Sequence, residues 1–260
     1  LGVSTGFIFL FVLFGALLEK AGAGNYFTKV AFALLGHYRG GPAKAAVVSS
    51  GMNGMISGSS IANVVITGTF TIPLMKKVGF SNEKAGAVEV AASTNGQLMP
   101  PIMGAAAFLM IEYVGISYLE VIKHAFLPAV ISYIALFYIS HLEALKLNLK
   151  GMDDEDVPHL KRTFLSGIHF LIPIFVLIYS LVYLRFTASY SIFFATFTLI
   201  LVNLISLLIK GNDLKNALKE WFNQTIVGFE KGALNMVAVG IAIATAGIIV
   251  GAVGSTGLST

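Results

Sequence analysis

The sequence predicts an all-α polytopic membrane protein with about six spanning helices and one re-entrant helical hairpin. Hydrophobic residues make up 56% of the chain and charged residues only 12%, whereas roughly a quarter of a soluble domain is charged. Long segments carry no charge at all, such as the one between Lys44 and Lys76. Several of them exceed the roughly 20 apolar residues that a membrane helix needs.

Composition also excludes several classes of function. Cysteine is absent, so the chain cannot form a disulfide framework, a thiolate metal site or a cysteine nucleophile. Net charge is +4, but the lysines stand at the ends of apolar runs, which does not indicate nucleic-acid binding. No Ser/His/Asp set, HExxH, P-loop or dinucleotide motif occurs, so we expect neither an enzyme nor an organic cofactor. The chain starts with Leu1 inside an apolar run and shows no signal peptide, which suggests a piece of something longer.

The apolar runs divide into complete and interrupted segments. Continuous membrane helices are predicted at 1–21, 118–142, 165–184, 188–210 and 231–253. Two further hydrophobic segments, 42–78 and 83–116, are broken by Gly, Ser, Asn and Pro. The connections 143–164 and 211–230 mix charged and apolar residues, which predicts amphipathic helices at the membrane interface.

The distribution of positive charge indicates that segment 42–78 turns back without crossing. If it does so and 83–116 crosses, all but two of the 17 Lys and Arg residues lie on the cytoplasmic side. The exceptions are Lys123 and Arg185, and this asymmetry is the one that the positive-inside rule requires. A single crossing by 42–78 would place lysines on opposite sides and remove most of the asymmetry, so a re-entrant hairpin is favoured.

The tip of this hairpin is predicted at Ser57-Gly-Ser-Ser60, within a stretch (49–63) made mostly of Gly, Ser and Asn. Gly58 can end the first arm in a left-handed conformation, and Ser59 or Ser60 can cap the second arm. The free N–H and C=O groups at such a tip suit an anionic substrate group and a cation such as Na⁺. Close helix packing is the alternative, since Gly54 and Gly58 form a small-xxx-small pattern.

The second broken segment contains Ala91-Ala-Ser-Thr-Asn-Gly-Gln-Leu-Met-Pro-Pro101. Pro100 and Pro101 lack N–H groups and clash with the preceding turn, and the polar residues 93–96 stand where carbonyls would be freed. A plain proline kink is the alternative for this segment alone. Two neighbouring interruptions at mid-membrane depth point to one shared site.

Two acidic residues also stand in or near the apolar zones. Glu89 lies about two turns into the 83–97 helix and Glu112 near its outer end. Either could bind a proton or a cation. The expectation that we prefer places Glu89 in a cytoplasmic vestibule and Glu112 at the outer interface.

Weak internal similarity divides the chain. Residues 15–24 resemble residues 247–256 in their small and apolar positions, and the predicted topology gives the two helices opposite directions, as in inverted-repeat transporters. We therefore predict three regions. Residues 1–142 form a first repeat, residues 143–230 hold cytoplasmic amphipathic linkers and two connecting helices, and residues 231–260 begin a second repeat.

The motifs resemble the large membrane subunit of TRAP transporters, the tripartite ATP-independent periplasmic carriers. The resemblance rests on Ser57-Gly-Ser-Ser-Ile-Ala-Asn63, Ile72-Pro-Leu-Met-Lys-Lys-Val-Gly-Phe80 and the stretch 91–101. It covers roughly residues 40–115 specifically, and it is greatest to fused permeases that work with TAXI-type binding proteins.

This resemblance implies an elevator-type, Na⁺-driven symporter of the bacterial or archaeal inner membrane. Its implied partners are a periplasmic binding protein, a small membrane subunit or fused N-terminal helices, and a small organic acid as substrate. It implies a substrate site of Ser59, Ser60, Asn63 and Asn95. It implies a cation site of Ser57, Gly58, Asn63, Ser93, Thr94 and Gly96, in which residues 93–96 are an unwound stretch beside the hairpin tip.

Family relatives often have Asp where this chain has Asn63, so cation binding here would depend more on carbonyl oxygens. A channel or scaffold subunit, whose glycines serve packing alone, is the alternative function.

Overall fold

The computed structural model describes residues 8–209 and 213–256, with the side chain of Glu112 outside that description. The expectation for Glu112 therefore falls outside the described residues. Those residues form eleven α-helices and no β-strand, which confirms the all-α class. In chain order the helices are α1 Phe9–Ala21, α2 Ala23–Leu35, α3 Gly41–Ser57, α4 Ser60–Lys77, α5 Asn82–Asn95, α6 Ala105–Val114, α7 Tyr118–Lys146, α8 Leu160–Ser166, α9 Leu171–Val182, α10 Ala188–Ile209 and α11 Leu214–Thr256.

Three of the described helices, α7, α10 and α11, are long and apolar enough to cross a membrane. A fourth span results if α8 and the helix that follows it, bent by 49° at the break between them, count as one. Most of the apolar side chains on α7, α10 and α11 face outward, which is typical of helices in contact with lipid. A membrane protein is thus confirmed, and the count of six spans stays a prediction.

The two cations that the charge count places outside lie close together. Lys123 and Arg185 line one cavity of about 750 Å³ between the start of α7 and the connection from α9 to α10. At the other end of α7, Glu143 pairs with Lys84. Lys123 therefore lies at one end of α7 and Lys84 at the other, and the orientation of α7 in the membrane stays a prediction.

The segment 42–78 forms a helical hairpin, as predicted, and its re-entrant position in the membrane stays a prediction. Helices α3 and α4 run antiparallel, since Ser50 meets Thr67 and Ala43 packs with Met75. Gly58 between them has φ 60°, in the left-handed region. The Ser59 side chain then caps α4 by accepting a hydrogen bond from the Ala62 N–H. Both local predictions for the turn are confirmed.

The second segment is broken as predicted, but at a later position. Ser93, Thr94 and Asn95 remain helical in α5, and a 3₁₀ turn covers Gly96–Leu98. The chain is non-helical from Met99 to Gly104, after which α6 starts. The expectation of an unwound stretch is wrong for Ser93, Thr94 and Asn95, because the ring of Pro100 clashes with the carbonyl four residues earlier, disturbs the turn that begins at Gly96 and leaves the preceding turn helical.

The apolar core lies where α1, α6, α7 and α9 meet. Phe11 packs against Phe108 and Tyr118, with ring centroids 5.8 and 4.9 Å away. A smaller cluster closes the open end of the hairpin, where Met75 and Phe80 pack with Leu149. The hairpin is therefore held at its base by apolar packing and at its tip by the contacts described below.

The predicted interfacial linkers differ in form. Residues 147–159 contain no helix and instead bond to the α2–α3 connection, through Met152 N–H to Gly36 O at 2.9 Å and Gly40 N–H to Lys150 O at 3.2 Å.

Residues 214–256 form one continuous helix, without a break near residue 230. No proline follows Pro173, and Gly228 and Gly232 let α11 pack directly against α1. The division into three regions stays a prediction.

Candidate functional site

The hairpin tip packs against the break that follows α5. A Cβ atom on Gly58 would lie 2.1 Å from the carbonyl oxygen of Met103, inside the break. The Gln97 amide donates to Ser60 Oγ at 2.7 Å, and the Gly104 N–H donates to Gln97 O at 2.7 Å. The two interruptions predicted from the sequence are therefore in contact, as a shared site requires.

Asn63 lies one turn into α4 and is completely buried. Its Nδ2 donates to the Ser50 carbonyl oxygen at 2.9 Å, and it also lies beside Gly96, where an added Cβ would approach Nδ2 to 2.8 Å. Its Oδ1 is buried without a hydrogen-bond partner. A buried amide oxygen without a donor is uncommon in folded proteins, and it is free to accept from, or to coordinate, a group that the chain itself does not supply.

The other predicted residues divide into two groups. Ser57, Gly58, Ser59 and Ser60 lie together at the half-buried tip. Thr94 does not join them, because it is exposed and its hydroxyl donates to Val90 O within α5 at 2.8 Å.

The remaining three lie at the end of α5 or just beyond it. Asn95 is half-buried at the last position of the helix. Gly96 is buried against Asn63. Ser93 is buried too, but it contacts Ser50 and Glu89 and not the tip.

Glu89 is the main functional candidate whose surroundings sequence reasoning misjudged. It is 0% exposed and not in an open vestibule, which corrects that expectation. Four hydroxyls surround its carboxyl group, from Ser50 on α3, Thr67 and Thr71 on α4, and Ser93 on its own helix. A signal was present in the sequence, because Thr67 and Thr71, like Glu89 and Ser93, are four residues apart and share a helix face.

A second buried polar cluster joins α2 to α3. The Thr28 hydroxyl donates to Gly24 O at 3.0 Å and lies 2.8 Å from Ser49 Oγ. Asn53 Nδ2 donates to Ser49 O at 3.0 Å, while Asn53 Oδ1 is buried without a partner. This cluster extends the polar interior from the tip toward α2.

The atoms of the candidate site that could coordinate a cation are oxygens. It offers serine and threonine hydroxyls, backbone carbonyls and amide oxygens, which are the ligands of hard cations. Among the described residues no group of three or more His, Cys, Asp or Glu could hold a metal ion. The chemistry fits a monovalent hard cation better than a transition metal.

Comparison with known proteins supplies the context for this site. A family model for the tripartite ATP-independent periplasmic transporter, DctM component, matches residues 3–260. The chain is 40% identical over 91 residues to the C4-dicarboxylate TRAP transporter large permease protein DctM of Vibrio cholerae, which is 35% of the chain and 20% of that protein.

Two further relatives differ in the solute that their names give. The chain is 30% identical over 95 residues to the ectoine TRAP transporter large permease protein TeaC of Halomonas elongata, which is 36% of the chain and 22% of the relative. It is 27% identical over 136 residues to the sialic acid TRAP transporter permease protein SiaT of Haemophilus influenzae, which is 52% of the chain and 22% of the relative. These alignments cover well under half the length of the relatives.

Proposed function

The chain belongs to the tripartite ATP-independent periplasmic transporter family, as its DctM component, and we propose that it forms part of a Na⁺-coupled permease for small organic acids. The proposal places it in the cytoplasmic membrane of a bacterium or an archaeon. The solute would arrive on a periplasmic binding protein, of the TAXI type by sequence resemblance. A small membrane subunit, or its fused equivalent, would complete the permease.

The observation that carries this proposal is the contact between two helix interruptions around the buried Asn63. Non-helical backbone at membrane depth is tolerated where it is buried in protein or lines a cavity. Here the break after α5 lies against the hairpin tip, and the partnerless Oδ1 of Asn63 lies beside them. A small cation would satisfy that oxygen together with the nearby carbonyls.

The substrate side of the site would be the tip itself. Ser59 and Ser60 stand at the start of α4, where the N–H groups of a helix favour negative charge. Asn95 can add an amide donor from the end of α5. This fits a carboxylate, and the Vibrio and Haemophilus relatives are named for C4-dicarboxylates and sialic acid. The hairpin would then move with its bound solute in an elevator-type cycle.

A scaffold or channel subunit is the second candidate, and one observation favours it. A Cβ atom on Gly54 would lie 2.5 Å from Gly96 Cα, so at least this glycine serves close packing. Packing alone gives no role to a buried acceptor without a partner. The two candidates differ in whether a small cation has any effect.

Uptake by the full-length permease in proteoliposomes, with its binding protein, tests the proposal. We expect uptake of a labelled dicarboxylate that requires an inward Na⁺ gradient and is lost in Asn63→Ala. Asn203→Ala is the control, because Asn203 bonds Gln224 between α10 and α11, away from the hairpin. Uptake unaffected by Na⁺ and by Asn63→Ala would contradict the Na⁺ site and favour the scaffold.

A further inference from the structure

We propose that Glu89, on α5 below the hairpin tip, is a proton-binding site, held as a neutral carboxylic acid by hydroxyls of α3, α4 and α5. The inference rests on the proposed function in one respect, namely that this proton crosses the membrane together with the solute. The occupancy of Glu89 by a proton can be measured without transport.

The surroundings of Glu89 are polar, uncharged and closed. Thr71 donates to Oε2, while Oε1 lies within hydrogen-bond distance of Thr67, of Ser93 at 3.2 Å and of Ser50 at 3.4 Å. An added Cβ on Gly68 would lie 3.2 Å from Glu89 Cγ, so α4 covers the side chain directly. The carboxyl group has no contact with solvent.

The hydrogens of Thr67 indicate where the proton lies. The Thr67 hydroxyl carries one hydrogen, and it lies 2.8 Å from the Asn63 carbonyl oxygen, which can only accept. If Thr67 donates to that carbonyl, the hydrogen between Thr67 and Glu89 Oε1 must come from the carboxyl group. All of these contacts are satisfied if Oε1 carries the proton and donates it in a hydrogen bond to Thr67, while Oε2 accepts a hydrogen bond from Thr71.

In the part of the chain that the structure describes, no Lys or Arg forms an ion pair with Glu89. Among residues 8–209 and 213–256, the ion pairs join Lys77 to Asp156, Lys84 to Glu143 and Lys231 to Glu19. The ammonium group of Lys44 on α3 lies over the Phe137 ring instead. An isolated carboxylate buried at membrane depth is costly, and binding a proton removes that cost.

The helices packed around Glu89 carry further ionisable groups. On α7, Tyr133 contacts α5, since its hydroxyl donates to Ala92 O at 2.8 Å. The remaining charged or titratable side chains on α3, α4, α5 and α7 are Lys44, Lys76, Lys77, Glu83, Lys84, Tyr118, Glu120, Lys123, His124, Tyr138, His141, Glu143 and Lys146. The ring of Tyr118 contacts Phe11. None of the lysines in this set forms an ion pair with Glu89 among the described residues.

Two residues connect the Glu89 site to the hairpin tip. Asn63 supplies the carbonyl that Thr67 contacts, and its amide donates to the Ser50 carbonyl. The hydroxyl of the same Ser50 contacts Glu89 Oε1. Loss of the proton would require the Thr67 hydroxyl to turn from the Asn63 carbonyl toward the carboxylate, which removes a hydrogen bond at Asn63. The protonation of Glu89 and ligand binding at the tip are thus physically connected.

Infrared difference spectroscopy of the purified full-length protein tests the proton directly. We expect a protonated-carboxyl band at neutral pH that is absent in Glu89→Gln and retained in Glu83→Gln, an exposed glutamate on the same helix. If Glu89→Gln does not fold, Thr71→Val should keep the band and shift it, because the donor to Oε2 is removed. A wild-type protein without this band, or a carboxylate band that responds to Na⁺, would overturn the inference.

Transport separates this inference from the proposed function. With the inward Na⁺ gradient held constant, an acidic exterior should stimulate dicarboxylate uptake by the wild type and by Glu83→Gln but not by Glu89→Gln. Equal stimulation in Glu89→Gln would overturn the role of Glu89 in coupling and leave the permease proposal intact. Absence of any uptake by the wild type would contradict the permease proposal, while the infrared result would still decide whether Glu89 binds a proton.

Discussion

Gly54 of α3 and Gly96, the residue after α5, approach so closely that a Cβ atom on Gly54 would lie 2.5 Å from the Cα atom of Gly96. Both sides of this contact are backbone atoms, so no flexible side chain can move aside to relieve a clash. The contact fixes the hairpin against the helix break and sets the position of Asn63 beside Gly96. It gives a first prediction.

Gly54→Ala should lower the melting temperature and reduce uptake, because α3 must move away from Gly96. Overpacking of a tight site costs about 1–3 kcal/mol. Gly86→Ala on α5 is the control, since nothing lies within 4 Å of its added Cβ and alanine favours a helix by about 1 kcal/mol. Thermal unfolding in detergent measures both. A Gly54→Ala protein as stable as Gly86→Ala would show that the two helices are not in contact.

The turn at Gly58 gives the second prediction. Gly58→Ala should be more harmful than Gly115→Ala, although both glycines have positive φ, 60° and 71°. A non-glycine residue in this region costs about 1–2 kcal/mol at either position. Only at Gly58 does the new Cβ also meet the Met103 carbonyl, at 2.1 Å, whereas Gly115 has open space.

Melting temperatures and protease sensitivity of the two glycine variants should therefore differ. The difference between them isolates the clash with the helix break from the backbone strain that they share. Equal losses would mean that the tip does not rest on the break.

Those features of the hairpin that depend on a few adjacent residues were predictable from the sequence. Gly58 and Ser59 occupy their predicted roles because a left-handed glycine and a serine cap are decided within one turn. The second break was expected one turn too early, since Pro100 disturbs the turn that begins at residue 96 and leaves Ser93 helical.

The environment of Glu89 was not predictable in the same way. Its burial depends on how α3, α4 and α5 pack, and periodicity within α5 shows only which residues share a face. Likewise, the continuity of α11 through residue 230 depends on its contact with α1, which a local charge pattern does not show.

The third prediction concerns the polar cluster between α2 and α3. Thr28→Val keeps the shape of the side chain but removes the hydroxyl that lies 2.8 Å from Ser49 Oγ. Because Thr28 is buried, the partners left unsatisfied should cost about 1–3 kcal/mol. Thr69→Val, at an exposed position of α4, should change stability little. Chemical denaturation of both variants measures the difference, and equal stabilities would exclude a structural role for the cluster.

The last prediction concerns the ion pair of Glu19 with Lys231, which joins α1 to α11 across most of the chain. The Glu19 side chain is only 13% exposed, so its charge is less screened than that of a surface pair. Glu19→Lys and Lys231→Glu should each destabilise the protein by placing like charges together. The double variant should recover much of the loss, with a coupling free energy of about 0.5–3 kcal/mol.

The same charge swap at Lys77 and Asp156 is the matched control, because both side chains of that pair are exposed, at 58% and 39%. Exposed pairs contribute little to stability and are screened by salt, so the coupling measured there should be smaller and should vanish at high ionic strength. Thermal unfolding of the single and double variants at low and high salt gives both cycles. If the Glu19–Lys231 cycle shows no coupling, α11 does not pack on α1 in the register described, and the continuous helix through residue 230 loses its principal tertiary support.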